Sequence, residues 1–397
     1  MSRIDELIDR LCPEGIAFKT LGELGELVRG NGLPKADFTD SGVGAIHYGQ
    51  IYTYYGTWTT RTLSYVAPDT AARLAKVDPG DVIITNTSEN LEDVGKAVAW
   101  LGSEQIVTGG HATIFKHHQD PKFISYWLQS PSFQSQKKKL ASGTKVIDVS
   151  AKQLAEVRVP VPPLEVQREI VRILDTFSEL EAELEAELEA RRVQYAYYRD
   201  HLLSRSGGEV VTLGEICSVL NGFPFRASYF NSEGLGVPVI RIRDINTGLA
   251  GTFYSGVFDP TYLVKRGEIV VGMDGDFNAV KWQHGDALLN QRTCKVSVVS
   301  KEVNPDFVFH ALRPALRGIQ ENTSGSTVKH LSSRDVLSIG FTLPSLEEQV
   351  EVANILNRLE SLTEDLTFGL PAELRARRQQ YEYYRDRLLT FKELPGE

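Results

Sequence analysis

The sequence predicts an α+β protein with two similar strand-rich domains separated by two long antiparallel helical, coiled-coil regions, the whole pseudo-twofold symmetric. Three observations predict it. First, the 397-residue chain repeats itself: Tyr195-Ala196-Tyr197-Tyr198-Arg199-Asp200-His201-Leu202-Leu203 returns, identical at seven of nine positions, as Tyr381-Glu382-Tyr383-Tyr384-Arg385-Asp386-Arg387-Leu388-Leu389. Second, residues 164–203 contain neither Gly nor Pro, and their apolar positions recur at gaps of three and four, the period of a helix-packing seam. Third, the remaining segments alternate short apolar runs with Gly, Asn, Asp and Ser, the pattern of strands and turns.

The repeat divides the chain into a first domain with an N-terminal helix (1–158), a central helical spacer region (159–208), a second domain (209–340) and a C-terminal helical spacer region (341–397). Early in each domain Thr20-Leu21-Gly22-Glu23 pairs with Thr212-Leu213-Gly214-Glu215, and Asn31-Gly32-Leu33-Pro34 with Asn221-Gly222-Phe223-Pro224. Val82-Ile83-Ile84, Val239-Ile240-Arg241-Ile242 and Ile269-Val270-Val271 read as strands. Residues 123–129 and 307–312, after Pro121 and Pro305, read as short helices. Ser142-Gly143-Thr144 pairs with Ser324-Gly325-Ser326.

The central helix is blocked upstream by Pro162-Pro163 and released by Ser206-Gly207-Gly208. Its seam is Ile170, Leu174, Phe177, Leu180, Leu184, Leu188, Tyr195, Tyr198 and Leu202, and some forty helical residues rise roughly 60 Å. Three tetrapeptides of Glu-Leu-Glu-Ala fill 179–190; a copy gained or lost changes the helix by about 6 Å. The second helical region opens with a capping box, Ser345-Leu346-Glu347-Glu348. Gly369-Leu370-Pro371 interrupts it, Gly ending one helix and Pro beginning the next. The helical parts of the two repeats match better than the domains, so two similar scaffolds carry different surfaces.

The net charge is −9, but it is unevenly spread. Residues 18–158 carry a net +1 and 209–340 a net 0, so the helical segments are the acidic ones. Charge by itself does not point to nucleic acid. The N-terminus carries acids where a signal peptide carries bases, and no apolar run reaches membrane-spanning length; the expectation is a cytoplasmic protein without a membrane partner. Cys12, Cys217 and Cys294 have no metal or disulfide spacing.

Tyrosine blocks, the helix starts Pro162-Pro163-Leu164-Glu165-Val166-Gln167 and Pro344-Ser345-Leu346-Glu347-Glu348-Gln349, the tetrapeptide repeat and the run at 369–374 together resemble the specificity subunits of Type I restriction–modification enzymes. The resemblance covers nearly the whole chain. It implies two target-recognition domains, each reading one half of a split site in double-stranded DNA, with helices as a ruler. It also implies two methyltransferase (modification) subunits docked on the helical regions and restriction (endonuclease/translocase) subunits joining outside. S-adenosylmethionine, ATP and Mg are then expected only on those partners, with no cofactor on this chain. The chain would not itself be an enzyme. Its own residues agree: Val161-Pro162-Pro163-Leu164 lacks the amide or acid of an aminomethyltransferase motif, and no phosphate-binding Gly-rich loop is present. His111, His117 and His118 as a metal site, and Asp274-Gly275-Asp276 as a nuclease site, are weaker readings.

Base edges are read by side chains that pair hydrogen bonds, and phosphates by Lys, Arg and hydroxyls. In the first domain the DNA-binding candidates are Tyr48, Gln50, Tyr52, Tyr54, Tyr55, Trp58 and Arg61, with Asn86, Thr87 and Ser88 expected to face out after a strand. Lys137, Lys138, Lys139 and Lys145 are phosphate candidates. In the second domain they are Arg241, Arg243 and Asp244, alternating along a strand, and Asn278, Lys281, Trp282, Gln291 and Arg292. Ser324, Ser326, Thr327 and Lys329 form a candidate phosphate-holding turn. Tyr197, Arg199, Tyr383 and Arg385 are the partner-subunit candidates; helix packing is the competing reading of these blocks. Two rival functions stay open: a specificity subunit whose partner fuses restriction and methylation, and a coiled-coil protein-binding adaptor.

Overall fold

The computed structural model describes residues 3–205, 207–275, 277–322, 330–364 and 369–395. They group into two compact units that cut across chain order: Met1–Glu183 with Leu374–Glu397, and Leu184–Glu373. Each unit holds one strand-rich domain, the start of the helix that follows it, and the tyrosine-bearing end of the other repeat's helix.

In the first unit a sheet runs in the order Gly25–Arg29, Ala112–His117, Val82–Thr85, Ala97–Trp100, Trp58–Thr59. The central strand Val82–Thr85 is buried at every residue, because both faces of the sheet are covered. Period-two alternation sorts its side chains. Val82 and Ile84 pack with Phe123, Trp127 and Phe133 of two helices and with Val166 and Ile170 of the central helix. Ile83 turns to Ile46, Val77 and Ile106, which belong to a second sheet containing the parallel pair Val107 with Ala45.

The second unit repeats the plan. Its sheet order is Cys217–Asn221, Thr293–Val298, Ile269–Gly272, Ala279–Lys281. Ile269 and Val271 pack with Leu312 and Leu316 of the helical layer, while Val270 packs with Ile240, Val264 and Leu289. A parallel pair, Val239 with Leu288, again joins the second sheet.

The repeated sequence motifs have local explanations. Thr20 and Glu23 form a reciprocal capping box on a short helix, and in the matching place Glu215 accepts from the Thr212 N–H and hydroxyl. Gln167 and Gln349 are buried at the two helix starts. Gln167 accepts from the Asp120 N–H (3.0 Å) and donates to the Pro162 carbonyl (2.7 Å). Gln349 accepts from the Asn304 N–H (2.8 Å) and donates to the Pro344 carbonyl (2.8 Å). The motif thus ties each long helix to its own domain.

The central helix runs uninterrupted over Leu164–Arg205. Within the first unit it pairs antiparallel with the C-terminal helix Leu370–Leu388: Phe177 stacks on Tyr384 at 5.4 Å, and Arg378 donates to Glu181 at 2.6 Å. Within the second unit Tyr195 is buried with Phe307, Val352 and Leu356. Its hydroxyl meets His310 Nδ1 at 3.1 Å.

Three expectations change. Val239–Ile242 is not one strand: the strand Val237–Ile240 ends there, and Ile242–Asp244 is a 3-10 turn closed by the Asp244 carboxylate accepting from the Arg241 N–H (2.9 Å). Arg241 and Arg243 therefore do not alternate along a strand. The helix expected at 307–312 extends over Pro305–Asn322 and continues through Pro314. The corresponding layer of the first domain is split into Pro121–Trp127 and Pro131–Leu140, because Ser130 caps a new helix by accepting from the Phe133 N–H. At the second helical region the capping bond from the Glu348 N–H to Ser345 is present (3.3 Å), the helix Leu346–Glu364 comes next, and a new helix starts at Leu370 with Pro371 in its first turn.

Candidate nucleic-acid interface

Three chain segments meet at one edge of each domain, and the two domains share their backbone arrangement. The first segment comes after a parallel strand. In the first domain the strand Val43–Ile46 ends at His47, which caps the helix Tyr48–Thr53; its N–H donates to Gln50 Oε1 (3.0 Å). In the second domain Arg241 does the same with Asp244. The second segment comes after the central strand: Asn86 and Thr87, or Met273 and Asp274. The third enters the adjacent strand through His111 or Arg292. The Asn86 N–H donates to the His111 carbonyl (2.8 Å), and the Met273 N–H to the Arg292 carbonyl (2.9 Å). Strand register pairs Ala112 with Thr85 and Thr293 with Gly272. His111 is thereby equivalent to Arg292, and Thr87 to Asp274.

The side chains on this shared frame differ. In the first domain the Tyr48 ring lies 4.8 Å from His111, whose Nδ1 is 2.9 Å from Thr87 Oγ1. The Tyr52 hydroxyl donates to the Thr87 carbonyl. His47 is held below the usual imidazole range by burial, then by Lys35 and His111. In the second domain Arg292 pairs with Asp274 at 3.1 Å, and His330 contacts the same carboxylate. Asn278 donates to Asn246 at 3.0 Å.

The expected site residues separate into groups. Tyr54, Trp58, Arg61, Lys138, Lys139, Lys145, Arg243, Gln291 and Arg292 are exposed. The Lys122 ammonium covers the Trp58 ring at 3.8 Å. Tyr48, Gln50, Tyr52, Tyr55, Thr87, Arg241, Asn278 and Lys281 are half-buried. Of these, Gln50 donates to Ser64 Oγ (2.6 Å), the Tyr55 hydroxyl accepts from the Leu63 N–H (2.8 Å), and Lys281 is paired with Asp306.

Several residues expected at the surface are internal. Asn86 is 1% exposed, donating to the Val149 carbonyl (2.7 Å) and accepting from Thr113 (2.9 Å); it joins strands rather than facing out. Ser88 is buried and accepts from the Asn90 N–H. Lys137 is 1% exposed, its ammonium donating to the Glu92 carbonyl (3.2 Å), and burial pulls it down to about 8. Trp282 is a core residue whose indole N–H donates to the Gly285 carbonyl (2.8 Å). Asp244 is buried as a cap. Ser324, Ser326, Thr327 and Lys329 lie outside the described residues, as does Asp276.

The tyrosine blocks divide in the same way. Tyr197 and Tyr383 are exposed at 64% and 60%, each edge-on to its neighbour, Tyr198 or Tyr384. Arg199, expected outside, is buried; it lies over the Tyr195 ring (5.7 Å) and bonds Asp200 (2.7 Å). Arg385, half-buried, makes the same two contacts with Tyr381 and Asp386. In the sequence His111 stands out only as a metal-ligand candidate; its equivalence to Arg292 lies in strand register rather than in a shared motif. Among the described residues no cluster of three metal-ligating side chains exists. None of the described helices is long and apolar enough to cross a membrane.

A duplicated α+β frame with divergent edges defines a two-domain recognition protein, and comparison with known proteins gives the family. The chain belongs to the Type I restriction modification DNA specificity family, matched over residues 13–190 and 206–376. It is 45% identical over 149 residues to the specificity subunit of the Type I restriction enzyme EcoBI of Escherichia coli, a match spanning 38% of this chain and only 31% of that relative. It is 31% identical over 294 residues to the EcoR124I/EcoR124II specificity subunit of the same organism, spanning 68% of this chain and 70% of the relative. Its fold matches the S subunit of a Type I restriction–modification system from M. genitalium with a TM-score of 0.60 at 17% identity, covering 94% and 96% of the two chains. The chain is thus a non-catalytic DNA-recognition subunit with two target-recognition domains. Subunits of this family act with DNA and with partners in a restriction–modification complex, and are not themselves cofactor-binding.

Proposed function

We propose that this chain recognises a bipartite DNA site, one half with each domain, and docks two methyltransferase subunits through its helices. Restriction subunits join that complex, and S-adenosylmethionine, ATP and Mg belong to the partners. One observation carries the reading: the same three-segment edge occurs in both domains with different side chains on it. A single-specificity protein has no use for two such edges of unlike chemistry. Unlike edges on like frames suit two unlike half-sites.

Exposed Lys138, Lys139 and Lys145 in the first domain suit phosphate contacts, which position without specifying. Tyr197 and Tyr383 suit a partner surface, since large exposed aromatics are favoured interface anchors. Their like environments in the two units support two copies of one partner.

The test is a domain exchange. The chain is co-expressed with its cognate methyltransferase and methylated adenines are mapped across host DNA. Replacing residues 18–158 with those of a relative of different specificity is expected to change one half of the methylated motif and leave the other. Methylation indifferent to the exchange refutes the proposal, as does a change in both halves.

A further inference from the structure

We infer that positions 292 and 111 are equivalent specificity-determining positions of the two domains, and that Arg292 reads a guanine in its half-site. The inference rests on the split-site proposal and assigns a residue to each half.

Four observations carry it. Strand register and the matching backbone bonds put Arg292 and His111 at one point of the shared frame. Both are exposed. A frame held constant while its outward side chain changes is what two readers of different sequence require. Third, Arg292 is the one non-glycine with positive φ among the described residues, at 71°. A side chain held in that region carries strain, and such strain collects at functional sites.

The fourth observation is the chemistry around Arg292. Nη1 is held by Asp274 (3.1 Å), whose carboxylate also contacts His330. Nε and Nη2 have no partner among the described residues. The guanidinium is therefore anchored through one nitrogen, with further donors available in its plane. Asp274 beside it disfavours a phosphate, which carries the same sign of charge. Two coplanar acceptors on a base edge suit that fork, and in the major groove guanine O6 and N7 supply them. Asp274 is then a positioning residue. In the first domain Thr87 occupies the same place and holds His111 through Nδ1, leaving Nε2 for a single bond, with Tyr48 against the ring. One domain thus offers a charged fork and the other a single ring-nitrogen contact.

The test uses the full chain with its methyltransferase, in Arg292→Ala, Arg292→Lys and Asp274→Asn forms, read by mapping methylated motifs. Arg292→Ala is expected to relax one guanine position of one half-site, with discrimination there falling about tenfold to a hundredfold. Arg292→Lys, retaining charge without the fork, should lose most of that discrimination. Asp274→Asn should weaken it less. The half-site read by the first domain stays unchanged in all three, which also reports that the complex assembles. Unaltered motifs in both Arg292 variants overturn the inference while leaving the split site standing. Uniformly weaker methylation with unchanged base preference overturns it too, assigning Arg292 to the backbone or the fold. A wild-type motif that is not split would instead sink the reading beneath it.

Discussion

Lys137 shows how far a residue's role departs from its composition. Three consecutive lysines look like one basic patch, yet they lie on a helix, and successive helical residues face about 100° apart. Lys138 and Lys139 reach solvent while Lys137 lies against Phe133 and Gly95 in the core. Burial penalises its ammonium and lowers it to about 8. The unfolded chain then binds the proton more tightly than the folded one between that value and the ordinary range near 10.5. Stability should accordingly rise with pH across that window. Lys137→Met is expected to stabilise the chain by about 1–2 kcal/mol at pH 7, with the advantage shrinking by about pH 9.5. Urea unfolding at the two pH values measures both effects. A destabilised Lys137→Met at pH 7 would contradict this account.

At the scale of elements, the helix starts are the most repeated pieces because they do the same mechanical work twice. Gln167 and Gln349 each close a backbone acceptor and a backbone donor that burial would otherwise leave unsatisfied. Replacing either by Ala orphans both groups and should cost about 2–4 kcal/mol. Denaturant midpoints for Gln167→Ala and Gln349→Ala should fall together; loss at only one would show that the two junctions are not equivalent. Gln→Glu at either site should also destabilise, because a carboxylate cannot donate to the proline carbonyl. The helical layers behave differently. Ser130 splits one and Pro314 is tolerated in the other, so the layer's packing face is retained while its segmentation varies.

At the scale of the molecule, each compact unit draws its helices from both repeats. Tyr195 closes the core beside the second domain, and Tyr381 packs on the core of the first. Both repeats are thus needed to complete either unit. The tetrapeptides 179–190 lie on a helix that enters both units. Deleting Glu183-Leu184-Glu185-Ala186 removes about 6 Å of rise and rotates the downstream part of the helix by roughly 40°. Under the proposed function the methylated motif should keep both half-sites and change only the gap between them. Altered half-sites in that deletion would defeat the ruler idea.

Legible in consecutive residues were the duplication, the strand-rich domains, the central helix to within two residues of its end, and the motifs that tie helix to domain. These features depend on spacing along the chain, on turns and on short-range caps, so they are written in consecutive residues. The sequence did not determine which turns share an edge, because that depends on strand register between segments distant along the chain. Asn86, Lys137, Trp282 and Arg199 look polar or amphipathic in sequence and are internal in the fold, where partners such as Val149, Glu92, Gly285 and Tyr195 receive them. His111 and Arg292 became comparable only when the strands beneath them were superposed. Tertiary packing decided the site because a side chain's neighbours across a sheet are chosen by hydrogen-bonded pairing, not by its place in the repeat.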